Sequence, residues 1–243
     1  MPEAVNPNAL SMVDGRLPRL LQALWPPRCL VCRERGDGGR DLCAACARSL
    51  PWLGVACPTC ALPLPMSAPA CGACLRRAPP LSAVHAAFVY ARPLDRLLPR
   101  FKFHGDLAAG RLLSQLLADA CADWARPDAL VPIALHRARL RQRGYDQALE
   151  LARPIARRHR IALCPQLLVR HRSTAPQSAQ SDATARRRNL RNAFTVPAGA
   201  ALPAHVALVD DVMTTGATLH AAAKALRRAG VARVDAWVCA RVP

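Results

Sequence analysis

No run of apolar residues in this chain is long enough to cross a bilayer, and the first 28 residues break any secretory-type core with Glu3, Asp14 and several prolines. A membrane-spanning protein and an exported one are both set aside, and the expectation is a cytoplasmic protein. Lysine is nearly missing too: of 34 basic residues only Lys102 and Lys224 are lysines. No Gly-Lys-Ser/Thr follows a glycine-rich loop, which excludes a Walker-type nucleotide site. Acids are scarce, 16 against those 34, so the formal net charge is +18 and the pI about 10.9. That imbalance favours polyanionic partners such as nucleic acid, nucleotides or an anionic surface, although genome composition accounts for part of the arginine and alanine excess. With 52% apolar residues in 243, the chain is globular and builds one large domain or two modest ones.

Cysteine is plentiful. Eight of the 11 cysteines form four CxxC pairs, Cys29/Cys32, Cys43/Cys46, Cys57/Cys60 and Cys71/Cys74, each beginning 14 residues after the one before. In a reducing compartment such pairs are metal ligands rather than disulfides. Two thiolates separated by two residues hold one ion from a single tight turn, and two such turns complete a tetrahedral Zn²⁺ shell. Four pairs therefore imply two zinc ions. The simplest assignment is sequential, Cys29, Cys32, Cys43 and Cys46 on one ion and Cys57, Cys60, Cys71 and Cys74 on the other; interleaved pairing stays open. Full thiolate shells leave no open coordination position, so both sites read as structural, with redox chemistry as the alternative. The surrounding Pro, Gly and small residues build little core, so this segment needs metal to fold. Cys121, Cys164 and Cys239 sit singly in apolar surroundings and read as inert core residues.

Composition marks three parts: residues 1–28, with an amphipathic helix over Leu17 to Trp25 closed by Pro26 and Pro27; residues 29–80, carrying the cysteine pairs; and residues 81–243, with α/β patterning. In the last part Val84 to Tyr90 reads as a strand. Leu94 to Phe103 and Leu107 to Cys121 read as helices, with Gly105 as punctuation and Pro99 as a kink or early stop. Phe101 and Phe103 flank a core edge, base stacking being the alternative. Ala129 to Leu135 is a buried strand that ends or bulges at Pro132. Directly beyond it come His136, Arg137, Arg139, Arg141 and Arg143, a cluster of cations suited to pyrophosphate. Gln147 to Ile161 is helical, interrupted by Pro154, and Leu167 to Val169 and Phe194 to Val196 are short strands. Arg170 to Asn192 is a long basic loop, read as a lid or a nucleic-acid contact through Arg170, Arg172, Arg186, Arg187 and Arg188. Between His136 and Arg191 fourteen arginines stand against three acids, so this half carries most of the charge.

One stretch states a chemistry: HVALVDDVMTTGATL, His205 to Leu219. Val206 to Val209 is a strand buried on both faces, Asp210 and Asp211 follow at its carboxyl end, and Thr214, Thr215, Gly216, Ala217 and Thr218 lead into a helix running to Ala229. Backbone N–H groups, hydroxyls and the positive end of a helix dipole there make a site for a phosphate monoester. The acidic pair suits vicinal hydroxyls or a hydrated Mg²⁺. A ribose 5-phosphate satisfies both halves; a solvated turn before an ordinary N-cap is the plain alternative. A last strand spans Arg233 to Arg241. No residue stands out as a general base, and no segment identifies an acceptor base.

VALVDDVMTTGATL closely resembles the signature of type I phosphoribosyltransferases, in which the acidic pair holds the ribose hydroxyls of phosphoribosyl pyrophosphate (PRPP) and the Thr/Gly loop holds its 5-phosphate. Together with the four CxxC pairs, FKF, VPIALHRARLRQRGYDQA, RHRSTAPQSAQ and ARRRNLRNAF, the chain from about residue 25 onward resembles the ComF/ComFC family, including the GntX-like proteins. The resemblance implies an α/β, type I phosphoribosyltransferase-like parallel sheet carrying an N-terminal double zinc ribbon. It implies PRPP with Mg²⁺ on Asp210 and Asp211. It also implies handling of single-stranded DNA in natural transformation or DNA utilisation, with other competence proteins at the inner membrane as partners. An active phosphoribosyltransferase acting on a base or nucleotide acceptor is the alternative. One departure is visible: the family often has RRGFNQ or RRGYNQ where this chain has Arg143-Gly144-Tyr145-Asp146-Gln147.

Overall fold

The apolar runs of the second half become a parallel sheet. The computed structural model describes residues 26–171 and 193–243. In it, strands β1 (Val84–Val89), β2 (Ala129–Pro132), β3 (Ala162–Leu163), β6 (His205–Met213) and β7 (Arg233–Arg241) form a five-stranded sheet in the order β1-β7-β6-β2-β3, every neighbouring pair parallel. A separate antiparallel pair, β4 (Val169–Arg170) and β5 (Phe194–Thr195), lies outside it. The last strand of the chain is inserted between β1 and β6, so β6 and β7 are central. Val206 to Val209 and Val234 to Ala240 are accordingly buried throughout, which is why these segments read as apolar runs rather than as alternation, broken only by Asp235, whose buried carboxylate is met by His205 Nε2 at 2.8 Å and by Arg233 at 2.9 Å.

Parallel neighbours need crossover connections, and the helices that supply them cover both faces. Helices α3 (Leu94–His104), α4 (Leu107–Ala120) and α6 (Gln147–His159) pack together, with α4 against β1 and β7 and α6 against β2 and β6. Helix α7 (Ala217–Ala229) closes the opposite face. Its Leu219, Ala222, Ala223 and Leu226 join the alternate strand residues Val84, Val131, Val206, Leu208, Val234, Ala236 and Val238 in one core. Gly230, at φ 113°, stops α7 in the left-handed conformation that ends many helices.

Neither proline stops its helix, against the early stop expected at Pro99 and the interruption expected at Pro154. Helix α3 runs through Pro99 to His104, and α6 through Pro154 to His159. A proline costs a helix one hydrogen bond and some crowding. The continuous buried faces, Leu94, Leu97, Leu98 and Phe101 in α3 and Leu151, Ala152, Ile155 and Ala156 in α6, outweigh that loss. Pro132 does end β2. The packing of α3 on α4 depends on Gly110, since a methyl group there would lie 2.4 Å from Cε2 of Phe101.

The chain divides into a smaller unit that ends at Ser49 and a larger one, Leu50–Pro243. The CxxC turns form two copies of one motif, distributed between them. Cys29 N donates to Glu34 O as Cys57 N does to Leu62 O, and Arg33 and Ala61 take matching positive φ values of 68° and 55°. Helices α1 (Ala44–Arg48) and α2 (Gly72–Arg76) begin within the second pair of each copy, with Cys43 and Cys71 as N-caps and Cys46 and Cys74 in the first turn. The second copy is built into the sheet domain: Ala61 belongs to the α7-side core, Val84 N donates to Pro58 O, and the Arg241 guanidinium donates to Cys60 O at 2.9 Å. The helix expected over Leu17 to Trp25 lies outside the described residues.

Candidate functional site

Strand β6 does not stop at Val209 as the sequence pattern implies. It continues through both acids to Met213, because β7 is equally long and pairs with it as far as Met213↔Arg241. On its other side β6 loses its partner at Pro132↔Val209. Asp210 and Asp211 therefore lie at a step, paired to β7 and open towards the chain leaving β2. Such a step at the carboxyl ends of parallel strands is where α/β sheets bind ligands.

Each acid accepts a hydrogen bond from the next backbone N–H, Asp210 from Asp211 and Asp211 from Val212. Burial, and then the Asp211 charge, push the Asp210 carboxyl up from 3.8 to about 8 against the opposing pull of Lys102. Lys102 reaches in from α3 and places Nζ 2.6 Å from Oδ2 of Asp211. This cation was not singled out from the sequence as a site residue. Its signal was its rarity, a lysine between two phenylalanines in an arginine-rich chain.

Beyond Met213, Thr214 and Thr215 are exposed, Gly216 is buried, and Ala217 and Thr218 begin α7. Gly216 is the N-cap at φ 73°, and no side chain caps the helix. The first N–H groups of α7 thus have neither an intrahelical acceptor nor a capping oxygen, the condition for binding an anion. A side chain at Gly216 would be strained by φ and would meet Met213 Cε at 2.5 Å and His220 Nε2 at 3.1 Å. His220 beside this loop is a second residue that sequence reasoning missed; it lies one turn inside an otherwise ordinary helical pattern.

Helix α5 (Arg137–Arg143) starts just past the carboxyl end of β2. Its i, i+4 spacing divides its arginines: Arg137 and Arg141 face solvent, whereas Arg139 and Arg143 are partly buried. Burial, and then the charge of Arg139, lower the pKa of Arg170, and the Asp210 carboxylate opposes them. Arg170, expected from the sequence as a nucleic-acid contact, is thus gathered with Arg139 and Asp210. Arg143 donates to Gln147 Oε1 and lies over the Phe103 ring. Arg172, Arg186, Arg187 and Arg188 lie outside the described residues.

Asp146 is turned to structural use. It caps α6 by accepting from Leu149 N at 3.1 Å and holds Leu135 N at 3.2 Å. Burial raises its pKa, and these N–H donors oppose the rise.

The sulfurs of Cys29, Cys32, Cys43 and Cys46 come together, as do those of Cys57, Cys60, Cys71 and Cys74, each set within 4.8 Å. The grouping is the sequential one. Burial acts to raise the pKa of Cys29, yet N–H groups of Cys32, Cys43 and Val31 bring it down to about 6; Cys57 behaves alike with Cys71, Thr59 and Cys60. Burial and neighbouring sulfurs push Cys46 and Cys74 upward instead. Four thiolates at this spacing repel one another unless a dication sits among them, which is the donor chemistry of structural zinc. Burial also raises the pKa of Cys121 and Cys239, in keeping with inert core thiols. Among the described residues no helix is long and apolar enough to cross a membrane.

A parallel α/β sheet with an acidic pair, a Thr/Gly anion loop and paired Cys₄ turns defines a phosphoribosyltransferase-type domain with a double zinc ribbon. Comparison with known families agrees: the double zinc ribbon domain matches residues 20–75 and the phosphoribosyl transferase domain residues 106–243. Competence protein F of Haemophilus influenzae is 35% identical over 226 residues, covering 88% of this chain and 96% of the relative. DNA utilization protein YhgH of Escherichia coli K12 is 34% identical over 226 residues, covering 89% and 97%. Competence protein ComFC of Bacillus subtilis is 28% identical over 154 residues, covering 60% and 59%. The chain belongs to the ComF/ComFC family.

Proposed function

We propose that this is a ComF-like competence or DNA-utilisation protein, with a PRPP-binding phosphoribosyltransferase-type site, that handles single-stranded DNA. The observation that carries this assignment is the pairing Pro132↔Val209, which puts the acidic pair, the α7 N-terminus and helix α5 at one edge of one sheet. The α7 N–H groups and the hydroxyls of Thr214, Thr215 and Thr218 take the 5-phosphate, while Asp210 and Asp211 take the ribose hydroxyls. Mg²⁺ would accompany PRPP on that pair; the raised Asp210 carboxyl fits hydroxyl donors and a cation, since either lowers the cost of its charge. Arg139 on α5 and Arg170 on β4, which interacts electrostatically with Arg139 and Asp210, are the candidates for pyrophosphate, together with Arg137, Arg141 and Arg143 of α5. Binding of this kind acts by positioning and electrostatics.

Two zinc ions hold the Cys₄ turns and have no catalytic part. DNA is held through the arginine excess in a salt-dependent way, with Arg172, Arg186, Arg187 and Arg188 as further contacts. The names of the relatives accord with this role, which puts the protein in the cytoplasm with competence proteins of the inner membrane as partners. His220 beside the anion loop favours a second assignment, transfer of the phosphoribosyl group to a base or nucleotide acceptor.

The test is incubation of the protein with PRPP and Mg²⁺ and a panel of bases, nucleotides and single-stranded DNA. Pyrophosphate release would establish turnover. Thermal stabilisation by PRPP without release supports binding alone, and its absence in wild type overturns the PRPP assignment.

A further inference from the structure

Of the four phenylalanines in this chain three are buried, and Phe103 alone is open to solvent, 67% exposed at the end of α3. Its surroundings are fixed. Phe101, two residues earlier, is locked against Gly110, and the Tyr145 hydroxyl donates to Phe101 O, tying the loop after α5 to the end of α3. Arg143 is held by Gln147, itself 3% exposed, and lies with its guanidinium 5.5 Å from the Phe103 ring centroid. The ring thus carries a cation against its π-system while most of its surface stays open. Lys102, the preceding residue, reaches Asp211, so this ring stands on the rim of the same site. The adjoining surface is positive: Arg137 and Arg141 are exposed on α5, a helix with no acid. The nearby acids are engaged, Asp106 with Arg100 and Asp146 as the α6 cap.

We propose that Phe103 and Arg143 form a stacking platform for an unpaired base of single-stranded DNA, with the strand's phosphates on Arg137 and Arg141. An aromatic face beside a basic track is the combination that binds single strands without reading their sequence, because every base has a π-face. A duplex has its faces already stacked and does not fit. This inference rests on the DNA-handling assignment above.

The test compares wild type, Phe103→Ala and Phe103→Trp by fluorescence anisotropy on two labelled oligomers of equal charge. One is an oligothymidylate of about 15 nucleotides and the other its abasic counterpart, a length within the range such sites cover. Phe103→Ala is expected to weaken oligothymidylate binding by about tenfold or more and leave abasic binding unchanged, with Phe103→Trp restoring affinity. Because the side chain is exposed, thermal melting of the variants confirms that the fold is kept. Equal affinity of Phe103→Ala and wild type for oligothymidylate, or equal loss on both oligomers, overturns the platform alone. Failure of wild type to bind either oligomer overturns the DNA-handling assignment and the platform with it, while PRPP binding is read separately by thermal shift.

Discussion

Lys102 Nζ lies 2.6 Å from Asp211 Oδ2, and it is the cation paired with a carboxylate whose side chain is only 6% exposed. Removing one partner of a buried pair leaves the other charge uncompensated. Lys102→Met is expected to lower stability by about 1–3 kcal/mol, less than a fully buried pair because Lys102 is itself 33% exposed. Urea denaturation checks this; unchanged stability would remove the pair from the electrostatics of the site.

The acidic pair also gives stability a definite pH slope. The Asp210 carboxyl is pushed up by burial to about 8, so the folded chain holds this proton more tightly than the unfolded one. As pH rises above about 4 the unfolded chain releases it first, and stability falls until about pH 8, where the folded chain releases it too. Asp210→Asn is expected to flatten that slope and to be more stable than wild type at pH 8 by several kcal/mol. It should also lose the thermal shift with PRPP and Mg²⁺. Denaturation curves across the interval, with and without ligand, measure both.

Gly216 combines φ 73° with close approach of Met213 and His220. Gly216→Ala is expected to cost about 1–2 kcal/mol, mostly backbone strain because the Met213 tip can move, and to abolish PRPP-dependent stabilisation. Calorimetry with and without PRPP and Mg²⁺ reads both effects. A variant that keeps the ligand shift would move the phosphate away from this loop.

The two Cys₄ turns should differ in what they support. Wild type is expected to contain two zinc ions, and Cys29→Ser and Cys57→Ser to lose one each. Only Cys57→Ser should lower the melting temperature of the sheet domain, because Ala61 and Cys60 O are built into that domain through its core and Arg241. Metal analysis paired with calorimetry decides it; equal effects on the domain would contradict this division.

Local rules carry far along this chain. The limits of β7 at Arg233 and Arg241, the end of α7 before Gly230, the strand break at Pro132 and the pairing of cysteines in CxxC turns all follow from apolar runs, a left-handed cap, a missing N–H and ligand spacing within a few residues of each other. The acidic pair with its Thr/Gly loop was legible for the same reason, since the end of β6, the loop and the start of α7 are contiguous in sequence.

What local pattern left open depends on which distant segments meet. Insertion of β7 between β1 and β6 carried β6 through both acids, and the early end of β2 opened the step beside them. Burial of Phe101 against Gly110 aimed Lys102 at Asp211, and the β4–β5 pairing brought Arg170 to Asp210. Asp146 became a cap instead of facing an anion. Sequence by itself determined the elements and the chemistry of one loop. Tertiary structure decided which charges face that loop, because Coulombic and packing partners are set by distance in space and not along the chain.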